Sequence, residues 1–138
     1  MIRLNITFIV ALFVLLIPLG NDCYCQRKDT TVFVNVDSVP QFKYKDCKNT
    51  KECVDVYISE HLIWPSDNNT YAKVQVQCIV EKDGTLSNFK IVHCVEQWFD
   101  KAAIDIVKSM PKWKSGLINN RTVRTKIDIP VIWNLNGK

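Results

Sequence analysis

The chain has 138 residues, 47% hydrophobic and 23% charged, which bounds it to one domain with an ordinary buried core. Four glycines and five prolines exclude a collagenous, low-complexity or Pro-rich spacer character. A net charge of +4 is too mild for a typical nucleic-acid-binding domain, and six cysteines in this length point to an oxidising compartment.

Residues 1–25 carry one positive residue, Arg3, ahead of an apolar run from Ile6 to Leu19. That run has the length of a signal-peptide core, about 7–15 residues, and falls short of the ~20 of a spanning helix. Pro18 and Gly20 end it, and Cys23 and Cys25 are the small residues before a cut at Gln26. The expectation is a cleaved secretory signal, with a short retained N-terminal anchor as the alternative. Gly20, Asn21 and Asp22 do not form a lipidation box. Cleavage leaves Cys47, Cys53, Cys78 and Cys94, for which three pairings are open. Cys47–Cys53 is the local candidate disulfide, clipping a loop to a helix start.

Residues 26–48 read as an N-terminal extension, polar at first, with a short strand where Val32, Val34 and Val36 alternate with Phe33 and Asn35. The spacing predicts a helix over 49–63. Asn49 is its N-cap, Glu52 closes a capping box, and Val54, Tyr57, Ile58, His61 and Leu62 form one apolar face. Pro65 ends it. After a turn cluster, Ser66 to Thr70, Val74, Val76, Cys78 and Val80 alternate with Lys73, Gln75, Gln77, Ile79 and Glu81. Lys82-Asp83-Gly84-Thr85 then predicts a hairpin. A two-residue turn sets Cys78 opposite Phe89 and Val76 opposite Ile91, and gives Cys94 the opposite parity, which argues against a Cys78–Cys94 bond.

A second helix is predicted over 98–110, with Phe99, Ala102, Ala103, Ile106, Val107 and Met110 facing the core. A loop over 112–120 follows. In the last strand Val123, Thr125, Ile127, Ile129, Val131, Trp133 and Leu135 share one face, and Arg124, Lys126 and Asp128 the other. Pro130 places this strand at a sheet edge or a bulge. The fold class is therefore α+β, with residues 49–138 forming a three-stranded antiparallel sheet and two helices packed on one face. A right-handed crossover puts the first hairpin strand in the centre.

Catalytic chemistry has little to stand on. His61 sits on an apolar helix face, and His93 and Cys94, adjacent in a strand, point to opposite faces. The cysteines lack zinc-site spacing. No catalytic residue, metal or cofactor is expected. Lys108, Lys112, Lys114, Arg121, Arg124 and Lys126 span a stretch without Asp or Glu. It reads as a solvated face, or as a positive rim beside the open last strand suited to an extended acidic partner. Asn68-Asn69-Thr70 and Asn120-Arg121-Thr122 match the common glycosylation tripeptide.

Several segments together resemble the TonB C-terminal domain family, a TonB/TolA C-terminal-like fold. They are Val39-Pro40-Gln41-Phe42 ahead of the first helix, Leu62-Ile63-Trp64-Pro65 closing it, and the hairpin from Val74 to His93 with Lys82, Asp83 and Gly84 at its turn. Phe99 to Ala103 with Lys108-Ser109-Met110-Pro111-Lys112-Trp113-Lys114, and the last strand from Val123 to Leu135, complete the set. The sequence departs from the family pattern at Lys43-Tyr44-Lys45, Ala72 and Ser115.

The resemblance implies protein binding rather than catalysis, in a stand-alone periplasmic form. It implies β-strand addition of a short segment, the TonB box, of an outer-membrane TonB-dependent receptor. It also implies inner-membrane motor proteins as partners if the N-terminus is retained, and periplasmic or inner-membrane-anchored localisation accordingly. The partner-binding residues expected from strand position are Val123, Arg124, Thr125, Lys126, Ile127 and Asp128 for backbone pairing, with Arg121 steering the partner. Only residues 26 to about 48 separate the signal from the first helix, at most roughly 80 Å fully extended. The second reading is a secreted structural or assembly protein that kept the fold, lost box binding and forms a homodimer through its sheet edge. No nucleic acid is expected.

Overall fold

The computed structural model of the chain describes residues 30–64 and 71–134. The signal-like segment, Pro65, the turn cluster with its glycosylation tripeptide, and Leu135 lie outside the described residues. The elements in order are β1 (Val32–Phe33), α1 (Thr50–His61), β2 (Ala72–Val80), β3 (Leu86–His93), α2 (Gln97–Lys108), β4 (Gly116–Ile118) and β5 (Arg121–Trp133).

The chain is α+β, with two helices and a mixed five-stranded sheet among the described residues. The strand order is β1-β5-β2-β3, with β4 paired to β5 off this path. The three expected strands are antiparallel with β2 in the centre. A sheet of only three strands is corrected, because β1 runs parallel to β5 and the loop over 112–120 contains β4. Both pair for only two or three residues: the alternation at Val32, Val34 and Val36 announced a short strand but not its partner, and β4 is too short to announce itself. The β4–β5 turn is Asn119-Asn120, both at positive φ (48° and 62°), the two-residue geometry that matches strand twist.

The hairpin differs from expectation in one place. Gly84 N–H donates to Glu81 O and Glu81 N–H to Thr85 O, so the turn holds three residues, Lys82-Asp83-Gly84, with Gly84 at φ 86°. That register pairs Val80 with Leu86 and Ile79 with Ser87. An irregularity between Gln77 and Ile79, where Asn88 takes φ 51°, then shifts the register, and Val76 faces Ile91 as expected. Asp83 accepts from the Thr85 hydroxyl (2.7 Å) and backbone N–H (3.0 Å), which holds its carboxyl below the usual range.

Burial follows the strand parity. Val74, Val76, Cys78 and Val80 of β2 join Ile129, Val131 and Trp133 of β5 in one core cluster. Val54, Tyr57 and Ile58 of α1 cover it together with Phe99, Ala103, Ile106 and Val107 of α2. Asn49 caps α1 by accepting from Glu52 N–H (2.9 Å), while Glu52 reaches one residue further back, to Lys48 N–H (2.9 Å). The Tyr57 hydroxyl donates to Ser109 O (2.7 Å) and ties α1 to the end of α2.

The extension is part of this body. Phe42 is buried and stacks on Trp113 at 5.0 Å. Gln41 and Lys114 exchange backbone hydrogen bonds, as do Ser38 and Leu117. Cys47 and Cys53 are bonded, with Cα atoms 5.3 Å apart. Tyr44 and Lys45 both bind the Glu60 carboxylate on α1, and its pKa is lowered first by Lys45 and then by Tyr44.

Cys78 and Cys94 are free, Cys78 buried and Cys94 exposed. Burial, and then the nearby Asp128 charge, push the Cys78 thiol up to about 12. Iodoacetamide at pH 8 is expected to alkylate Cys78 at least ~100-fold more slowly than Cys94 in the native protein, with the difference vanishing in urea. Peptide mapping by mass spectrometry checks this, and rapid native labelling of Cys78 contradicts it.

Candidate functional site

The expected site residues fall on two different stretches of β5. Arg121, Thr122 and Val123 pair with Ile118, Leu117 and Gly116 of β4. Arg124 and Thr125 pair with Val32 and Phe33 of β1. The backbone over 121–125 is thus already taken by the chain's own strands, which corrects the expectation of an open edge at Val123, Arg124 and Thr125. From Lys126 onward, β5 pairs with β2 on one side through Trp133, and among the described residues no strand covers the other side. Lys126, Ile127 and Asp128 lie on this open stretch.

The physical origin of the opening is local. β1 starts a parallel ladder on β5 and ends at Phe33, where the chain turns away through Val34 and Asn35. The Arg124 guanidinium holds that ladder's start. It donates to both Glu81 carboxylate oxygens (2.7 and 2.9 Å) and to Thr30 O (2.9 Å), joining the hairpin turn after β2, β5 and the extension. Beyond the departure, Asp37 and Ser38 are fixed to Leu117, and Asp37 accepts from Asn119 N–H. The extension is anchored on both sides of an arch that leaves the β5 edge uncovered.

Pro130 sits within the open stretch, opposite Gln75, with no register shift between β2 and β5. A proline in a strand keeps its donor-less nitrogen on the unpaired side. Side and backbone directions alternate along a strand, so Lys126, Asp128 and Ile132 share that outward direction.

The positive rim is dispersed. Arg124 is ion-paired with Glu81, Lys108 lies over the Phe89 ring at 5.6 Å, and Lys112 lies near enough to Asp83 to lower its pKa slightly. His61 is exposed at the end of α1 and stacks on Tyr57 at 4.1 Å, and His93 is exposed at the end of β3. The contribution of the extension to this region escaped sequence reasoning. Its one signal was the Val32, Val34, Val36 alternation.

A family model described as Gram-negative bacterial TonB protein C-terminal matches residues 66–135. The chain belongs to this family, a protein-interaction family rather than an enzymatic one. No curated protein and no solved structure matches the chain. The matched stretch runs from β2 to β5, while β1 and α1 lie outside it. Among the described residues no helix is long and apolar enough to cross a membrane.

Proposed function

We propose that this chain is a periplasmic binding module that docks extended segments of outer-membrane TonB-dependent receptors by β-strand addition, and so contributes to energised transport. The observation that carries the reading is the uncovered β5 edge from Lys126 to Trp133 in a chain of this family. An incoming strand gains backbone hydrogen bonds there without disturbing the β2–β5 ladder. Because β1 occupies the same edge at Arg124 and Thr125, the docked segment is bounded at that end and covers about eight residues of β5.

The test is calorimetric titration with receptor box peptides. Binding is expected for at least one peptide, and no heat from any peptide at high concentration and low salt refutes the reading. Asp128→Pro is expected to weaken binding at least about tenfold while leaving the fold intact, since its N–H points outward. Ile127→Pro breaks the β2 ladder instead and lowers stability. Unchanged affinity in folded Asp128→Pro contradicts the docking edge. A stable dimer in sedimentation that peptide fails to dissociate supports edge-to-edge self-association in its place.

A further inference from the structure

Where the extension turns away from β5, the space between them forms a groove of about 380 Å3. Val34, Val36, Val39 and Pro40 make one wall, Val54 of α1 another, and Trp113 also lines it beside the β5 edge. We infer that this groove is a side-chain subsite that takes one bulky, uncharged apolar residue of an extended segment lying on that edge. The inference rests on the strand-addition reading and adds the chemistry of the residue selected.

Three observations define the occupant. Val34 and Val39 are each 66% exposed, yet each stands next to stretches held by backbone hydrogen bonds. They are apolar side chains on a fixed frame, so covering them removes apolar surface from water at little ordering cost. The charges at the groove, Lys51 and Asp55 on α1 with Lys126 and Asp128 on β5, cancel in sign. Asp128 further accepts from Gln77 Nε2 at 3.0 Å. The groove therefore selects on shape and apolarity rather than on charge, which separates it from an acidic-peptide site.

The third observation is Trp113 itself. It is only 7% exposed, and its indole N–H has no acceptor among the described residues. Buried donors are nearly always satisfied. Trp113 lines the groove, so its indole N–H resonance reports on what enters there. The valine and α1 walls lie outside the family-matched stretch, so the subsite belongs to this chain's own N-terminal part.

The experiment titrates the protein with receptor box peptides that differ at one central position, leucine, alanine or aspartate. Two readouts are followed, calorimetry and the Trp113 indole N–H resonance, assigned by Trp113→Phe. The leucine peptide is expected to bind at least about tenfold more tightly than the alanine peptide, and the aspartate peptide more weakly than either. The indole resonance shifts on saturation with the leucine peptide. Val39→Asp, and independently Val34→Asp, are expected to erase the leucine preference while the alanine peptide keeps its affinity. Equal affinities for leucine and alanine, or an unmoved Trp113 resonance, overturn the subsite while strand addition stands. Absence of binding by all three peptides overturns strand addition and the subsite with it.

Discussion

Gly84→Ala is expected to destabilise the protein by about 3–4 kcal/mol in urea unfolding. Two effects combine at this turn. Gly84 holds φ 86°, where an alanine costs about 1–2 kcal/mol. A Cβ there also falls 1.9 Å from the Trp113 carbonyl oxygen, which is backbone and cannot rotate aside. The hairpin tip must then withdraw, breaking the Trp113 N–H bond to Gly84 O (2.8 Å). Trp113 carries the stack on Phe42, so the damage spreads into the extension. Gly84→Asn separates the two causes. Asparagine tolerates positive φ but keeps the Cβ, so it is expected to recover no more than about 1 kcal/mol. Near-complete recovery shows that the close approach to Trp113 is not what matters.

Trp133→Ala is expected to cost about 3–5 kcal/mol, a large share of the roughly 5–15 kcal/mol that holds a domain together. Trp133 is 0% exposed and meets the Phe99 ring edge-on at 5.0 Å, bringing the end of β5 against the first turn of α2. Its indole N–H donates to Ile63 O at 3.0 Å, just past α1. One side chain thus joins both helices to the sheet. Trp133→Phe keeps most of the volume and loses the hydrogen bond, so about 1–1.5 kcal/mol is expected. A loss below about 2 kcal/mol for the alanine variant means that the end of β5 frays and leaves the remaining core intact.

Much of the fold was legible because strong periodicities are long. The twelve residues of α1 and of α2 each carry an apolar stripe, and β2 and the last strand alternate over nine and thirteen residues. A short strand at β1 was legible from the Val32, Val34, Val36 alternation, but neither its partner nor β4 was, because two or three residues give no period and their pairing is decided by tertiary partners. The hairpin shows the limit in miniature. Asp83-Gly84 signals a turn of either two or three residues, and the register at Val76 came out as expected only because the irregularity near Asn88 offsets the extra turn residue. At the site, Pro130 pointed to an edge strand, and β5 is an edge over that half. The closing of Arg121–Thr125 was invisible, since nothing in Val32-Phe33 names its partner some ninety residues away.

β5 is the last strand among the described residues, yet it lies between β1 and β2. Before residues 121–133 are available, β1 has no strand neighbour among the described residues, and β2 has only β3. The sheet therefore cannot close progressively as the chain emerges from its N-terminal end. Its completion waits for the C-terminal strand to insert between two others, and the β1–β5 pairing spans nearly the whole sequence. High contact order of this kind slows folding and leaves the backbone edge of β2 that faces β5 unpaired in the meantime. A chain cut short before Arg121 is accordingly expected to lose the sheet as a unit, rather than one strand from its margin.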